Sequence, residues 1–263
     1  MSDDRVLTLE GVHNFRDYGG YPVAGGGRLK RGVLWRSGQH HGATDADLAR
    51  IAALGLASVF DLRSDKERAS HPCRRPAGFA AEVHVPEMPT ERKAPHIAAA
   101  QSARQRDAAS TREGLRRNYG MIAFRPELTG AMRRYFAELA AGKGPSLINC
   151  MAGKDRTGIA VALLHVATGV HRDDAIADYI LTNTAGDAEA RIAAGAATIA
   201  AVTGQLDEEV LRVLMGVEPE YLESAFAAIA ERHGSVDGYL AVELGADAAL
   251  RERLAAALVE HGL

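Results

Sequence analysis

Short runs of β-branched and aromatic residues recur through the first 150 positions, each bounded by glycine, proline or polar residues. Four of them predict strands, at Val33 to Arg36, Ala57 to Leu62, Glu82 to Val85 and Ser146 to Cys150. A hairpin is predicted between Tyr21–Val23 and Arg28–Lys30, because Ala24-Gly25-Gly26-Gly27 offers a flexible reversal. Helices are signalled between the strands. Thr44 with Asp47, and Ser64 with Glu67, have capping-box spacing, and Pro126 opens a helix running to about Ala141 with Gly142 as its left-handed exit. This alternation predicts an α/β layer structure, with a small and mostly parallel central sheet flanked by helices.

After Cys150 the period becomes helical. Thr157 to Thr168 is apolar nearly all round, the mark of a helix buried against a sheet. Further helices are predicted at Arg172–Thr182, Asp187–Val202, Asp207–Met215, Glu220–His233 and Asp247–His261, with no strand among them. Pro86 to Ser110 has three prolines and no clean period, so it reads as a loop holding one short helix at most.

Composition narrows the class. With 263 residues, 47% hydrophobic and 25% charged, the chain reads as one domain spanning residues 1–263. A net charge of -3 lacks the basic excess of a nucleic-acid binder. Two cysteines, Cys73 and Cys150, make no disulfide framework, and the first residues show no signal-peptide pattern, so a reducing cytoplasm is expected. The longest apolar run, Gly158 to Val166, is too short for membrane insertion.

The chemistry concentrates in Ser146–Gly158, SLINCMAGKDRTG. A strand ends at Cys150, five residues follow, and Arg156 opens a helix. Such a turn directs the N–H groups around Met151, Ala152 and Gly153 inward, and these join the helix N-terminus as an anion-binding nest. Gly153 permits the backbone angles required, and Arg156 offers a planar fork for two phosphate oxygens. The same positive field favours the thiolate of Cys150 and in-line attack on phosphorus. A nucleotide P-loop fails on spacing, since it needs glycine at 148 and a hydroxyl at 155, where Ile148 and Asp155 stand. A sulfurtransferase cradle typically has a shorter loop to its arginine. His40-His41 has no matching ligand spacing and reads as a pair of solvated loop histidines.

The segment resembles the C-x5-R-[ST] signature of cysteine-dependent tyrosine phosphatases. More narrowly, it is similar to the bacterial family that combines phosphotyrosine, phosphoserine/threonine and phosphoinositide activity, which includes mycobacterial and listerial secreted enzymes. Asn14–Gly20, Trp35–Gly38, Val59–Ser64, Tyr179–Asn183 and the glycine-spaced segment at 234–240 resemble recurring segments of that family. The resemblance implies a cysteine-phosphatase-like fold and hydrolysis of phosphomonoesters through phosphocysteine, without metal or other cofactor. The substrates implied are phosphorylated proteins or phosphoinositides, with inorganic phosphate as product. It also implies a phosphate site of Met151, Ala152, Gly153, Lys154, Arg156 and Thr157, with Thr157 assisting the thiolate as leaving group. Asp155 is the expected general acid. Asp61 is its rival, and Arg63 a second residue that could meet substrate; equally, Asp61 could pair with Arg63 and be structural. The extra length and mild amphipathicity of 186–216, together with the family's lid helices, imply a helical cover. One departure stands out, in that the family's histidine before the nucleophile is Asn149 here. A phosphoinositide phosphatase is the alternative enzyme, favoured by Lys154, and a phosphate-binding pseudophosphatase the alternative of another class.

Overall fold

The computed structural model describes residues 4–87, 107–203 and 206–261. In chain order the first half holds β1 (Arg16–Asp17), β2 (Arg28–Leu29), β3 (Leu34–Ser37), α1 (Asp45–Ala52), β4 (Ser58–Asp61), α2 (Asp65–Ser70) and β5 (Glu82–His84). There follow α3 (Ala108–Ile122), α4 (Pro126–Ala140), β6 (Ser146–Asn149), α5 (Asp155–Ala167) and α6 (Arg172–Ile180). The last part is α7 (Ala188–Thr203), α8 (Glu208–Met215), α9 (Pro219–His233), α10 (Val236–Glu243), α11 (Ala248–Leu258) and β7 (Val259–Glu260).

The main sheet has the order β1-β3-β6-β4-β5, antiparallel between β1 and β3 and parallel elsewhere. Its register matters most for function. Ser37 and Asp61 both pair with Asn149, so three strands end level on either side of Cys150. Ligands of parallel sheets collect beyond such carboxyl ends. The two-residue period of the strands divides the core. Val59 and Leu147 face α1 with Leu48 and Ile51, while Phe60 and Ile148 face α5 with Ile159 and Leu163. Each such side chain contributes about 1.5–3 kcal/mol on burial. α5 is buried on all sides, as its apolar sequence requires.

Both capping boxes form, at Thr44–Asp47 and Ser64–Glu67. Pro126 stands at the start of α4, and Gly142 leaves it at φ 65. The ends of the chain differ from expectation. The helix foreseen to His261 stops at Leu258, and Val259–Glu260 pairs with Arg28–Leu29 as a second small sheet. The foreseen hairpin forms about an antiparallel Pro22–Arg28 bridge, with Leu29 N donating to Tyr21 O at 2.9 Å and Val23 N to Gly27 O at 3.2 Å, and Arg28 and Leu29 pair with β7 on their other edge. α10 was not foreseen. Most of the Pro86–Ser110 segment lies outside the described residues; Asp107 at its end caps α3 by accepting from Ser110 N. α7 and α8 share a small core of their own, with Ile199, Val210, Leu214 and Met215. No helix among the described residues is long and apolar enough to cross a membrane.

Candidate active site

Cys150 leaves the end of β6 buried, at 2% exposure, and the chain turns through 151–154 into α5. The outer side of this turn is held by its carbonyls. Met151 O accepts from Gln39 N at 2.9 Å. Ala152 O accepts from Asn14 Nδ2 at 3.3 Å, and Gly153 O from Asn14 Nδ2 at 2.9 Å and Arg36 Nη2 at 3.0 Å. A trans peptide points its C=O and N–H in opposite directions. Three carbonyls drawn outward therefore turn the N–H groups of Ala152, Gly153 and Lys154 inward, which makes an anion nest.

The donors that do this are themselves fixed. Asn14 is the one non-glycine residue with positive φ among the described residues, at 59, a region that asparagine tolerates. Arg16 and Arg36, opposite each other on β1 and β3, share the buried carboxylate of Asp178 on α6 at 3.2 and 2.6 Å. Burial opposes that charge, but the two guanidinium groups outweigh it and hold the carboxyl far below its usual range. Gly153 has φ 65, and a Cβ there would lie 2.4 Å from the Ser37 carbonyl. Only glycine fits.

Arg156 lies on the first turn of α5. Its Nη1 and Nη2 meet Glu67 Oε2 and Oε1 at 2.7 and 2.9 Å, and Nη1 also donates to Leu62 O at 3.1 Å. Guanidinium has five N–H groups. Three are engaged, and Nε is buried without a protein partner. The edge formed by Nε and the second Nη2 hydrogen is left as a fork for two oxygens. Burial raises the Glu67 carboxyl, but Arg156 and the Ser64 bonds overcome this and bring it to about 2. Sequence reasoning missed Glu67 as a site residue. Its capping-box role is visible in the sequence, whereas its partner stands 89 positions away.

Asp155 is buried beside Arg156. Its Oδ1 accepts from Tyr119 OH at 2.5 Å, and Tyr119 accepts in turn from Tyr179 OH at 2.7 Å. Gly158 makes room for this chain, since a Cβ there would lie 2.8 Å from the Tyr179 ring. Lys154 Nζ is 3.4 Å from Asp155 but donates to Leu214 O at 2.6 Å and Gly216 O at 3.1 Å, joining the loop to the end of α8. Burial lowers its pKa despite Asp155. Thr157 is buried with its hydroxyl unpartnered.

On the β4 side, Asp61 forms a buried two-point pair with Arg63, at 2.8 and 2.7 Å, and accepts from Asn149 Nδ2 at 3.2 Å. Arg63 is spent within the protein: its other bonds go to His71 O at 2.6 Å and Cys73 Sγ at 3.0 Å. His40 is not solvated as expected, though His41 is exposed. It is buried against Ser37 Oγ at 3.0 Å, and burial, with Arg75 adding to it, lowers its pKa to about 3. Both cysteines are free thiols.

Beside the loop lies a cavity of about 60 Å³ whose lining includes Met151, Ala152, His13 and Gln39, together with Arg191, Gly195 and Thr198 of α7. Another set of metal-type donors, Glu82, His84 and Glu138, lies at the β5 edge, separated from the loop by β4. Its carboxylates already pair with Arg134 and Lys143.

The tyrosine phosphatase family model matches residues 7–260. A Cupriavidus necator protein with the provisional name of tyrosine-protein phosphatase is 35% identical over 249 residues, 92% of this chain and 85% of its own length. The Mycobacterium tuberculosis triple specificity protein phosphatase PtpB is 32% identical over 266 residues, 89% of this chain and 92% of its own. Among solved structures, P. aeruginosa TpbA aligns at 18% identity over 70% of this chain and 86% of that one, with a TM-score of 0.34. A family match over nearly the whole chain, and two relatives above 30% identity along most of their length, show that the chain belongs to the tyrosine phosphatase family and is a phosphatase acting on phosphorylated substrates.

Proposed function

We propose that the chain hydrolyses phosphotyrosine and related phosphomonoesters in two steps through a phosphocysteine at Cys150. The supporting observation is the inward-facing nest around a buried cysteine, with the open Arg156 fork beside it. The phosphate oxygens take the N–H groups of Met151, Ala152, Gly153 and Lys154 and the free edge of Arg156. The thiolate attacks phosphorus as the P–O bond to the leaving group breaks, and the departing oxygen takes the proton of Asp155. Water then attacks phosphorus and gives a proton to Asp155. The P–S bond breaks, and inorganic phosphate leaves with the thiolate restored. The free hydroxyl of Thr157 donates to that thiolate as it departs.

In this reading Asp61 and Arg63 support the loop through Asn149 and do not touch substrate. Residues 186–216 cover the site, the chain is a single phosphatase domain, and the enzyme works in the cytoplasm without a metal. Breadth beyond phosphotyrosine, to other phosphoproteins or phosphoinositides, is proposed by analogy with the triple specificity named for the mycobacterial relative. Cys150→Ser is the test. It abolishes turnover and retains binding of a phosphotyrosine peptide, and EDTA leaves the wild type unaffected. Turnover persisting in Cys150→Ser, or activity lost to EDTA and restored by a divalent metal, refutes the mechanism; absence of turnover in the wild type would leave a phosphate-binding pseudophosphatase.

A further inference from the structure

Arg191, on α7, is buried at 3% exposure, yet among the described residues it has no carboxylate within ion-pair distance. Its Nη1 donates to Met215 O at 2.5 Å, and its Nε is buried without any partner. A buried donor left unmade costs about 1–3 kcal/mol, and more when the group is charged. The α8 carbonyl therefore accounts for only one corner of this guanidinium. Arg191 lines the cavity beside the loop, whose wall includes Met151 and Ala152, the first two residues after Cys150. Of the residues lining that cavity, Arg191 alone carries full charge near neutrality. His13 is held below its usual pKa, first by burial and then by Arg191 itself. Around the arginine the wall is mixed: Gln39 and Thr198 offer polar groups, and Ala194, Gly195 and Met215 are apolar.

We infer that Arg191 and this cavity form a subsite for an acidic side chain next to the phosphorylated residue of a peptide substrate. The inference rests on the phosphatase reading above. At about 60 Å³ the cavity well exceeds the roughly 10–15 Å³ that a single water requires. That admits a carboxylate on its aliphatic stem, and the lining matches both parts: apolar for the methylene, a two-point fork for the oxygens. Asp155 and Glu189 favour the Arg191 charge only from beyond ion-pair distance, so binding gives it a directly paired carboxylate, and recognition and ordering of α7 reinforce each other.

The test uses two phosphotyrosine peptides that differ only in whether the flanking residues are acidic or neutral. The wild type favours the acidic peptide in kcat/KM by roughly 10- to 100-fold, the range expected of one charge-assisted hydrogen-bonded contact. Arg191→Gln brings that ratio close to one, acting through KM, and Arg191→Lys restores part of it. The same ratio measured as binding to Cys150→Ser reports the subsite without turnover, so its failure is separable from failure of the thiolate mechanism. A wild type with no acidic preference overturns the inference. So does an Arg191→Gln enzyme that loses activity equally on both peptides, since Arg191 would then be only a tie to α8. A selective loss on a soluble bisphosphorylated inositol headgroup, with the peptide ratio intact, overturns the peptide assignment.

Discussion

Glu67 holds Arg156 by the end of its guanidinium, through two bonds of 2.7 and 2.9 Å, and leaves the Nε side free. The same carboxylate closes the capping box on Ser64 N at 2.7 Å, so one side chain starts α2 and aims the open edge of Arg156. Glu67→Gln is expected to lower kcat/KM by about 10- to 100-fold, as a charged hydrogen-bond partner is removed. Stability carries a second signature. The carboxyl titrates near 2 in the fold against 4.5 for the free group. A depressed carboxyl stabilises above its unfolded value, and the gain is lost as pH falls from about 4.5 toward 2. That gain is on the order of 3 kcal/mol. Denaturant unfolding of wild type and Glu67→Gln should show a gap at pH 7 that narrows through this window; a gap independent of pH counts against the pairing.

Asp155 and Asp61 are separable by leaving group. A general acid matters most when the departing oxygen is basic. Asp155→Asn should slow phosphotyrosine or phosphoserine hydrolysis by ~10² to 10⁴, and hydrolysis of an activated aryl phosphate far less. Asp61→Asn leaves Arg63 buried without its partner, a change worth about 3–5 kcal/mol, and should act mainly on stability. Selective loss in Asp61→Asn with a uniform loss in Asp155→Asn would reverse the two roles.

Gly153→Ala should fail at the loop. The new Cβ meets the Ser37 carbonyl in a backbone conformation that disfavours it. Turnover and binding of inorganic phosphate should fall together, while far-ultraviolet circular dichroism keeps its native shape. Intact phosphate affinity would contradict the role given to the nest.

Much of this site is legible in the sequence because its parts are local. The strand before Cys150, the glycine at 153 and the arginine at 156 lie within one turn of chain, and their residue types already dictate the geometry. The capping boxes are local as well. What escapes is every partner supplied by distance: Glu67 for Arg156, Asn14 and Arg36 for the loop carbonyls, Tyr119 for Asp155. Two-residue strands such as Arg16–Asp17 and Val259–Glu260 are too short for period two to appear. α3 is hidden for another reason. Its buried face, Ala108, Thr111, Leu115, Tyr119 and Ile122, has helical spacing, but threonine and tyrosine dilute the apolar stripe. His40 misleads in the opposite direction, because a polar pair in a loop reads as solvated until the fold closes over one of them.

Lys154 gives the remaining prediction. It belongs to the loop after Cys150, yet its ammonium is bound to Leu214 O and Gly216 O at the end of α8, and Arg191 of α7 takes Met215 O between them. Three successive carbonyls at that end thus receive cations, where the helix dipole is negative. α7 otherwise rests on a small core shared with α8, whereas α8 also packs against α3 and places Val213 in the main core. A segment with few contacts to the main core should open at lower free energy than a helix such as α5, which is buried on every side. Native-state hydrogen exchange should therefore show 188–203 opening well before 157–167, with 208–215 between the two. Lys154→Met keeps the aliphatic stem and removes the ammonium, and should increase exchange in α8 by roughly 10-fold or more, the size of one charged hydrogen-bond contact. Exchange in α5 should stay slow in that variant. Equal, high protection of α7, α8 and α5 in the wild type would mean that the helices are fixed parts of the fold and do not act as a cover. A Lys154→Met protein with unchanged α8 exchange would mean that the covering helices are held by apolar packing, with the lysine bonds incidental.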